Sequence, residues 1–275
     1  RHKTAIINFA DKILKTDFTV IGSAGCKHEL FDNSTFTQHL GEWKGEMQET
    51  CVTVTLMKFF RRVYLLTGDP KYADAIEISF YNAYMGALNT ENKIGNWKEK
   101  YAPYFDVESL IYEPLPFDSY SPLISGKRNR SVGGWQLLPD KSYYGCCACI
   151  SSAGVGVFLK SAITKKDDEI IINFFENGSA SFEIGGANVQ LEIKTDYPVC
   201  GKVAITVKSD KPAKFGIKVR VPEWSGDNGY KVFDKVWSDD EITVDYKMEI
   251  KATYPEKWVE DDIHTYMKVV DGTYT

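Results

Sequence analysis

The sequence predicts an α+β protein with two domains, a helical domain followed by an antiparallel β-sandwich. Residues 1 to about 165 are predicted to be mostly helical, with apolar residues at helical spacing in two clear segments. From Asp168 onward the pattern changes to alternation with period two, in short segments separated by glycine or proline. The run 164–168 between them is charged, as linkers often are. We therefore predict a helical domain at 1–165 and a β-sandwich domain at 166–275.

Helices are predicted where the apolar spacing is clearest. The strongest pattern, at 52–66, forms one apolar stripe of Val52, Leu56, Phe59, Val63 and Leu66. Gly68 and Pro70 end this helix, because proline cannot continue it. A second helix at 72–88 follows a short link, so the two helices should be antiparallel neighbours. A last short helix is predicted at 153–162.

Strands are predicted throughout the second domain, and a long loop precedes it. The strand segments are 169–175, 179–184, 189–195, 203–208, 215–221, 230–237 and 241–246. Short strands at this spacing are typical of an antiparallel sandwich. The stretch 89–145, rich in proline and aromatic residues, is predicted to be a long functional loop.

The composition excludes some partners. The net charge is −5 and no basic run is present, so nucleic acid is a poor partner. No apolar stretch reaches the roughly 20 residues that a membrane-spanning helix needs. The aromatic fraction of 13% suits both sugar stacking and core packing. No targeting leader is recognisable, so the sequence assigns no compartment.

The cysteines carry the clearest chemical signal. Of the six, three lie within four positions, at Cys146, Cys147 and Cys149. Adjacent cysteines do not readily bond each other, so the first two need other partners. Zinc binds thiolates and carboxylates, and the triplet Glu49-Thr50-Cys51 offers both. Buried free thiols and disulfides are the alternatives.

Glu49 and Cys51 can bind one ion only under a geometric condition. Residues two apart on a helix point about 200° from each other. The segment must therefore be extended or lie at a helix start. The predicted helix begins at Val52, which satisfies this condition.

A glycine-rich turn contains a second pair of polar residues, His28 and Glu29. A glutamate in such a turn can serve as a general acid and base if burial raises its pKa. An exposed loop carboxylate is the simpler interpretation, and Glu42 and Glu46 are nearby competitors. His28 can likewise be a sugar contact, a ligand or a plain surface residue.

Together these residues resemble the glycoside hydrolase family 127 group of β-L-arabinofuranosidases. The resemblance rests on the turn with His28 and Glu29, on Glu49-Thr50-Cys51, and on Tyr144-Gly145-Cys146-Cys147. The segments 68–74, 81–82, 196–198 and 219–224 add to it, so it covers nearly the whole chain.

The resemblance implies a fold and a partner segment. Members of the family have an (α/α)6 barrel followed by β-sandwich domains, and their chains are longer. This chain resembles the second half of the barrel with one β-domain. The first half of the barrel is then expected as a missing partner segment.

The resemblance also implies a mechanism. The family cleaves glycosides with retention, using a cysteine nucleophile held on zinc. Carried over, the zinc ligands are Glu49, Cys51, Cys146 and Cys147. Cys146 is then the nucleophile and Glu29 the acid and base.

The implied substrate is a glycan. The expected product is terminal β-L-arabinofuranose, or a related unusual sugar, from plant-type oligosaccharides or glycans. His28 and Tyr144 are expected to contact this substrate.

One departure from the family leaves an alternative open. The family usually continues the cysteine pair with Pro-Pro-Asn, whereas Ala148 and Cys149 follow here. An alignment anchored on Gly145 puts Ala148 at the nucleophile position and makes Cys149 an alternative ligand. The alternative function is a non-catalytic carbohydrate-binding or structural relative with a structural cysteine or zinc site.

Overall fold

A computed structural model gives the protein an α+β fold, as the sequence predicts. It describes residues 1–26, 29, 31, 33–38, 47–88, 136–137, 143–144, 146–226, 228–252, 258–260, 266–270 and 273–274. These residues form two compact units that alternate along the chain. The first unit comprises Arg1–Phe60, Ile78–Val155 and Thr253–Thr275, and the second comprises Arg61–Glu77 and Gly156–Ala252. The domain boundary at 165/166 stays a prediction.

The described helices include the three that the sequence predicts. They are α1 (His2–Thr16), α2 (Ser34–Thr37), α3 (Thr50–Thr67), α4 (Pro70–Ile78) with a π-helical continuation (Ser79–Tyr84), and α5 (Cys146–Ala162). The predicted helix 52–66 is confirmed as α3, and 72–88 as α4 with its π-helix. The predicted helix 153–162 begins seven residues earlier, at Cys146. The cysteine pair therefore lies in the first turn of a helix rather than in a loop before it.

The buried face of α3 differs from the predicted stripe. Leu56 and Val63 are buried as expected, whereas Leu66 is 42% exposed. The remaining buried apolar positions of this helix are Val54, Met57, Phe60 and Tyr64. The helix is apolar on more than one face, so periodicity alone does not select the face that packs.

A six-stranded sheet forms most of the second unit. Its strands are β3 (Ile163–Lys166), β4 (Glu169–Ile172), β5 (Gly178–Ile184), β6 (Ala187–Thr195), β7 (Lys202–Val221) and β8 (Gly229–Asp245). The order is β3-β4-β7-β6-β5, and β8 also pairs with β7. Every pairing is antiparallel except β4 with β7, which is parallel.

The long strand β7 joins two predicted strands into one. The predicted segments 203–208 and 215–221 are continuous, with a register shift against β8 between Lys208 and Ala213. Pro212 falls inside that irregularity, where a missing ladder hydrogen bond costs least. The predicted strands 230–237 and 241–246 are likewise one strand, β8.

The side chains that this sheet buries form one hydrophobic cluster. β6 pairs with the first half of β7 and β4 with the second half, yet both halves bury residues in the same cluster. Burial alternates along β6, whose inward residues are Ala187, Val189, Leu191 and Ile193. The sheet therefore curls around one core and is nearly closed.

The remaining described strands belong to the first unit. β1 (Gln136–Leu137) pairs with β2 (Tyr143–Tyr144), and β9 (Trp258–Glu260), β10 (Tyr266–Val270) and β11 (Thr273–Tyr274) form a three-stranded sheet. The rest of the predicted loop 89–145 lies outside the described residues. Among the helices that the structure describes, none has the length and apolar character to cross a membrane.

A buried arginine links the β-sheet of the second unit to α4. Arg220 of β7 is fully buried and forms ion pairs with Asp74 and, at 2.6 Å, with Glu77. Its Nε also donates to the carbonyl oxygen of Asn173 at 2.7 Å. Burial raises the pKa of Asp74 to about 6 against the opposing effect of Arg220. Burial lowers the pKa of Arg220, but Glu77 and Asp74 outweigh it and raise the pKa overall.

Candidate metal centre

The start of α3 satisfies the geometric condition for Glu49 and Cys51. The helix begins at Thr50, so Glu49 precedes it and Cys51 lies in its first turn. Cys146 and Cys147 occupy the first turn of α5. A helix N-terminus carries partial positive charge, which favours thiolates over thiols.

Four acidic groups meet at these two helix starts. One ligand atom each of Glu49, Cys51, Cys146 and Cys147 lies within 4.8 Å of all the others, and we call these four residues the Glu/Cys cluster. The Sγ of Cys147 lies 3.4 Å from the Sγ of Cys51 and 3.9 Å from the Sγ of Cys146. Glu49 Oε1 lies 3.3 Å from the Sγ of Cys147 and 3.8 Å from the Sγ of Cys146.

These distances fit the edges of a zinc tetrahedron. Zn–S bonds of about 2.3 Å and Zn–O bonds of about 2.0 Å put two sulfurs about 3.8 Å apart, and a sulfur and an oxygen about 3.5 Å apart. Three thiols with one carboxylate are also a donor set that zinc favours. Moreover, Oε2 of Glu49 is buried without a hydrogen-bond partner among the described residues. A cation would compensate such an atom.

The pKa values of Glu49, Cys51 and Cys146 are raised, because burial disfavours their anionic forms and the acidic groups of the cluster lie close together. Burial raises the pKa of Glu49 to about 8, and Cys147 adds to this shift. A hydrogen bond with Cys147 and then burial raise the pKa of the Cys51 thiol. Burial also raises the pKa of Cys146.

The cluster residues differ in accessibility. Cys147 is fully buried and Glu49 is 4% exposed, whereas Cys51 is half-buried and Cys146 is exposed. Cys149 is also exposed, but it does not belong to the cluster. All six cysteines are described, and none of them is in a disulfide.

The other predicted site residues are less fully described. Glu29 is exposed, and its charge makes a minor contribution to the raised pKa of Glu49. His28 lies outside the described residues. Tyr144 belongs to β2, but its side chain lies outside the described part.

A turn before Glu29 anchors the segment with Glu49 and Cys51. Ser23 Oγ accepts a hydrogen bond from Thr53 Oγ1 of α3 at 2.7 Å. The backbone N–H of Gln48 donates to the carbonyl of Gly25 at 2.6 Å. The side-chain Oε1 of Gln48 accepts a hydrogen bond from Thr19 Oγ1 at 2.8 Å. Sequence reasoning missed these polar positions, although the glycine-rich pattern marked the turn.

Gly22 allows this turn to approach the π-helix closely. Its φ is +84°, and a Cβ there would lie 2.5 Å from the backbone nitrogen of Ser79. We expect Gly22→Ala to lower the free energy of unfolding by about 2 kcal/mol, since it adds left-handed strain and a backbone clash. Urea denaturation followed by circular dichroism measures this loss.

Gly86→Ala is the matched control for Gly22→Ala. A Cβ at Gly86 meets nothing within 4 Å. This variant should keep or slightly raise the unfolding midpoint of the unchanged protein, because alanine favours a helix over glycine. Equal midpoints for the two variants would contradict the assigned role of Gly22.

Comparisons with known proteins identify the family of this chain and agree with its fold. Residues 1–96 match the family model of the GH127 β-L-arabinofuranosidase catalytic domain. Residues 169–260 match the model of the GH127 middle domain. The chain therefore belongs to glycoside hydrolase family 127.

Solved structures share this fold at low sequence identity. Ara127N-Se, a GH127 β-L-arabinofuranosidase from Geobacillus stearothermophilus T6, aligns with a TM-score of 0.63 and 18% identity over 94% of this chain and 39% of that chain. The GH127 β-arabinofuranosidase BT3674 aligns with a TM-score of 0.60 and 19% identity over 87% of this chain and 38% of that chain. A third structure, of a glycoside hydrolase, aligns with a TM-score of 0.59 and 17% identity over 91% of this chain and 42% of that chain. The chain thus spans about two fifths of their length. No curated protein sequence matches.

Proposed function

We propose that this chain contributes the zinc and nucleophile site of a retaining glycoside hydrolase. The enzyme would release terminal β-L-arabinofuranose, or a related sugar, from plant-type glycans. The observation that carries the proposal is the Glu/Cys cluster, in which zinc donors from two distant segments meet in a chain of this hydrolase family.

Zinc is the metal that suits the cluster. Glu49, Cys51, Cys146 and Cys147 would be its ligands, supported by their separations and by the unpartnered Oε2 of Glu49. A bound Zn²⁺ keeps coordinating sulfur atoms as thiolates at neutral pH. The cluster would thereby hold a nucleophile that an isolated thiol does not supply.

Accessibility supports Cys146 as the nucleophile. Its side chain is exposed, whereas Cys147 is buried and Cys51 is half-buried, so a sugar can reach the sulfur of Cys146 most easily. The alternative alignment uses Cys149 as a ligand, but the observed cluster leaves that residue out.

The proposed reaction has two displacement steps. The sulfur of Cys146 attacks the anomeric carbon, the bond to the leaving oxygen breaks, and Glu29 protonates that oxygen. Glu29 then takes a proton from a water molecule, whose oxygen displaces the sulfur from the same carbon. Two inversions retain the configuration. The electrostatic effect of Glu29 on Glu49 supports its proximity to the cluster.

The sugar and the larger architecture also belong to the proposal. One similar structure is a β-L-arabinofuranosidase and another is a β-arabinofuranosidase, which supports β-L-arabinofuranose as the product. His28 and Tyr144 would contact the substrate. The helical domain 1–165 would form part of an (α/α)6 barrel that another segment completes, and 166–275 would form the sandwich.

Zinc content tests this proposal most directly. Protein purified without chelators should contain one zinc per chain by mass spectrometry. Cys51→Ala should lose most of this zinc, because Cys51 is a proposed ligand. Cys149→Ala is the matched control and should keep it, because Cys149 lies outside the cluster.

The possible results separate the two functions. Folded protein that binds no zinc, or a zinc content equal in both variants, would refute the proposed site. Zinc binding and sugar binding without hydrolysis would instead favour the non-catalytic relative.

A further inference from the structure

A buried tyrosine of the first unit packs against the helix that carries the cysteine pair. Tyr84 ends the π-helix and is 1% exposed. Its hydroxyl donates to the backbone carbonyl of Ser151 in α5 at 2.7 Å. Burial raises the pKa of the Tyr84 phenol, and the backbone amide of Val155, which donates to its oxygen, partly offsets that rise. Ser151 and Val155 are the i and i+4 positions of one turn of α5.

A glycine in α5 makes room for the tyrosine ring. A Cβ at Gly154 would lie 2.4 Å from Cε2 and 2.8 Å from Cδ2 of Tyr84. Glycine inside a helix costs about 1 kcal/mol relative to alanine, so its presence here needs a reason. The ring supplies that reason, because no larger residue fits at Gly154 while Tyr84 stays in place.

The π-helix also contacts the turn that precedes Glu29. The backbone N–H of Ala83 donates to the carbonyl of Ile21 at 3.0 Å, and Ser79 Oγ donates to the carbonyl of Gly22 at 2.6 Å. π-helical turns are rare and occur often at functional sites. This one therefore contacts two segments that the proposed site needs.

The tyrosine contact lies close to the ligands along α5. Ser151 is four residues, or about one helical turn, after Cys147. A shift of this turn along the helix axis would move both cysteine sulfur atoms by the same amount.

We infer that Tyr84 is a positioning residue for the Glu/Cys cluster. Together with Gly154, Tyr84 fixes the position of α5 along its own axis. That position sets the distances of Cys146 and Cys147 from Glu49 and Cys51. This inference rests on the proposed metal site and goes beyond it, because Tyr84 does not belong to the cluster itself.

Cobalt binding tests the inference without any substrate. Co²⁺ added to metal-free protein gives sulfur-to-metal absorption bands that count thiolate ligands, and d–d bands that report four-coordinate geometry. We expect Gly154→Ala to weaken Co²⁺ binding by about 10- to 100-fold and to change the d–d bands, the range found when groups supporting a ligand are lost. Tyr84→Phe keeps the ring and removes both hydroxyl contacts, so we expect about a tenfold loss.

Gly156→Ala is the matched control on the same helix. A Cβ at Gly156 meets nothing within 4 Å, so this variant changes helix propensity alone. It should bind Co²⁺ with unchanged affinity and spectrum. If Gly154→Ala does not fold, Tyr84→Phe decides the question.

The possible results of the Co²⁺ binding experiment distinguish this inference from the proposed function. Unchanged protein that binds no Co²⁺ overturns the metal site and the inference together. Unchanged protein that binds Co²⁺, with Tyr84→Phe giving the same affinity and d–d bands, overturns the inference alone. A lower unfolding midpoint with an unaltered cobalt spectrum also overturns it, because the tyrosine would then only stabilise the fold.

Discussion

Cys146→Ser should abolish the proposed glycoside hydrolysis, with a loss on the order of 10⁴-fold or more in kcat. Serine has almost the same shape, but its hydroxyl is a far poorer nucleophile and zinc ligand than a thiolate. The release of a chromogenic phenol from an aryl β-L-arabinofuranoside measures the rate. The three other ligands remain, so we expect zinc to be retained at least in part.

Cys149→Ser is the matched control for this experiment. It makes the same chemical change at an exposed cysteine three residues away, outside the Glu/Cys cluster. Its activity should equal that of the unchanged protein. Full activity of Cys146→Ser would refute the assignment of the nucleophile. Unchanged protein that binds zinc but does not hydrolyse the glycoside would favour the alternative alignment, which puts Ala148 at the nucleophile position.

Arg220→Met should lower the free energy of unfolding by about 3–5 kcal/mol. The change leaves the carboxylates of Asp74 and Glu77 buried at 3% and 4% exposure without their common cation. It also removes the hydrogen bond to the carbonyl of Asn173. Urea denaturation, followed by the fluorescence of the buried Trp237, measures the loss in this unit.

Lys218→Met gives a matched control on the same strand. Lys218 pairs with Glu169 at 2.8 Å, but both side chains are partly exposed, so we expect a loss below about 1 kcal/mol. A triple variant that adds Asp74→Asn and Glu77→Gln to Arg220→Met should recover part of the stability, since no buried charge remains unpaired. Equal losses for Arg220→Met and Lys218→Met would show that the buried pairs contribute little.

Local patterns in the sequence predicted much of the fold. The change from helical spacing to alternation gave the α+β class, and the helix 52–66 corresponds to α3 within two residues. The start of α5 was missed because the cysteines before Ala153 were interpreted as a separate cluster. The strand pairs that form β7 and β8 were divided at Pro212 and at 238–240, since a break in alternation looks the same for a bulge and for a loop.

For the candidate site, too, the sequence predicted local features but not contacts between distant segments. Glu49, Cys51, Cys146 and Cys147 were named from residue types, from the helix start and from the family resemblance. The roles of Tyr84, Gly154 and Thr53 were not predicted, because their partners lie 30 or more positions away. Gly154 is a local sign of such a contact, but Gly156 of the same helix meets nothing within 4 Å, so a glycine alone does not identify the contact.

The sequence alone determined the kinds of group that this protein can offer: three thiols and a carboxylate in two segments, one of them just before a predicted helix, and a β-domain with alternating apolar residues. Only the tertiary structure decided which of the six cysteines meet, which sulfur is exposed, and which cation compensates Asp74 and Glu77. The physical reason is the separation along the chain of the residues that interact. Helical and strand periodicities arise between near neighbours in the chain, whereas Glu49 and Cys147 approach each other across 98 positions through the packing of entire helices.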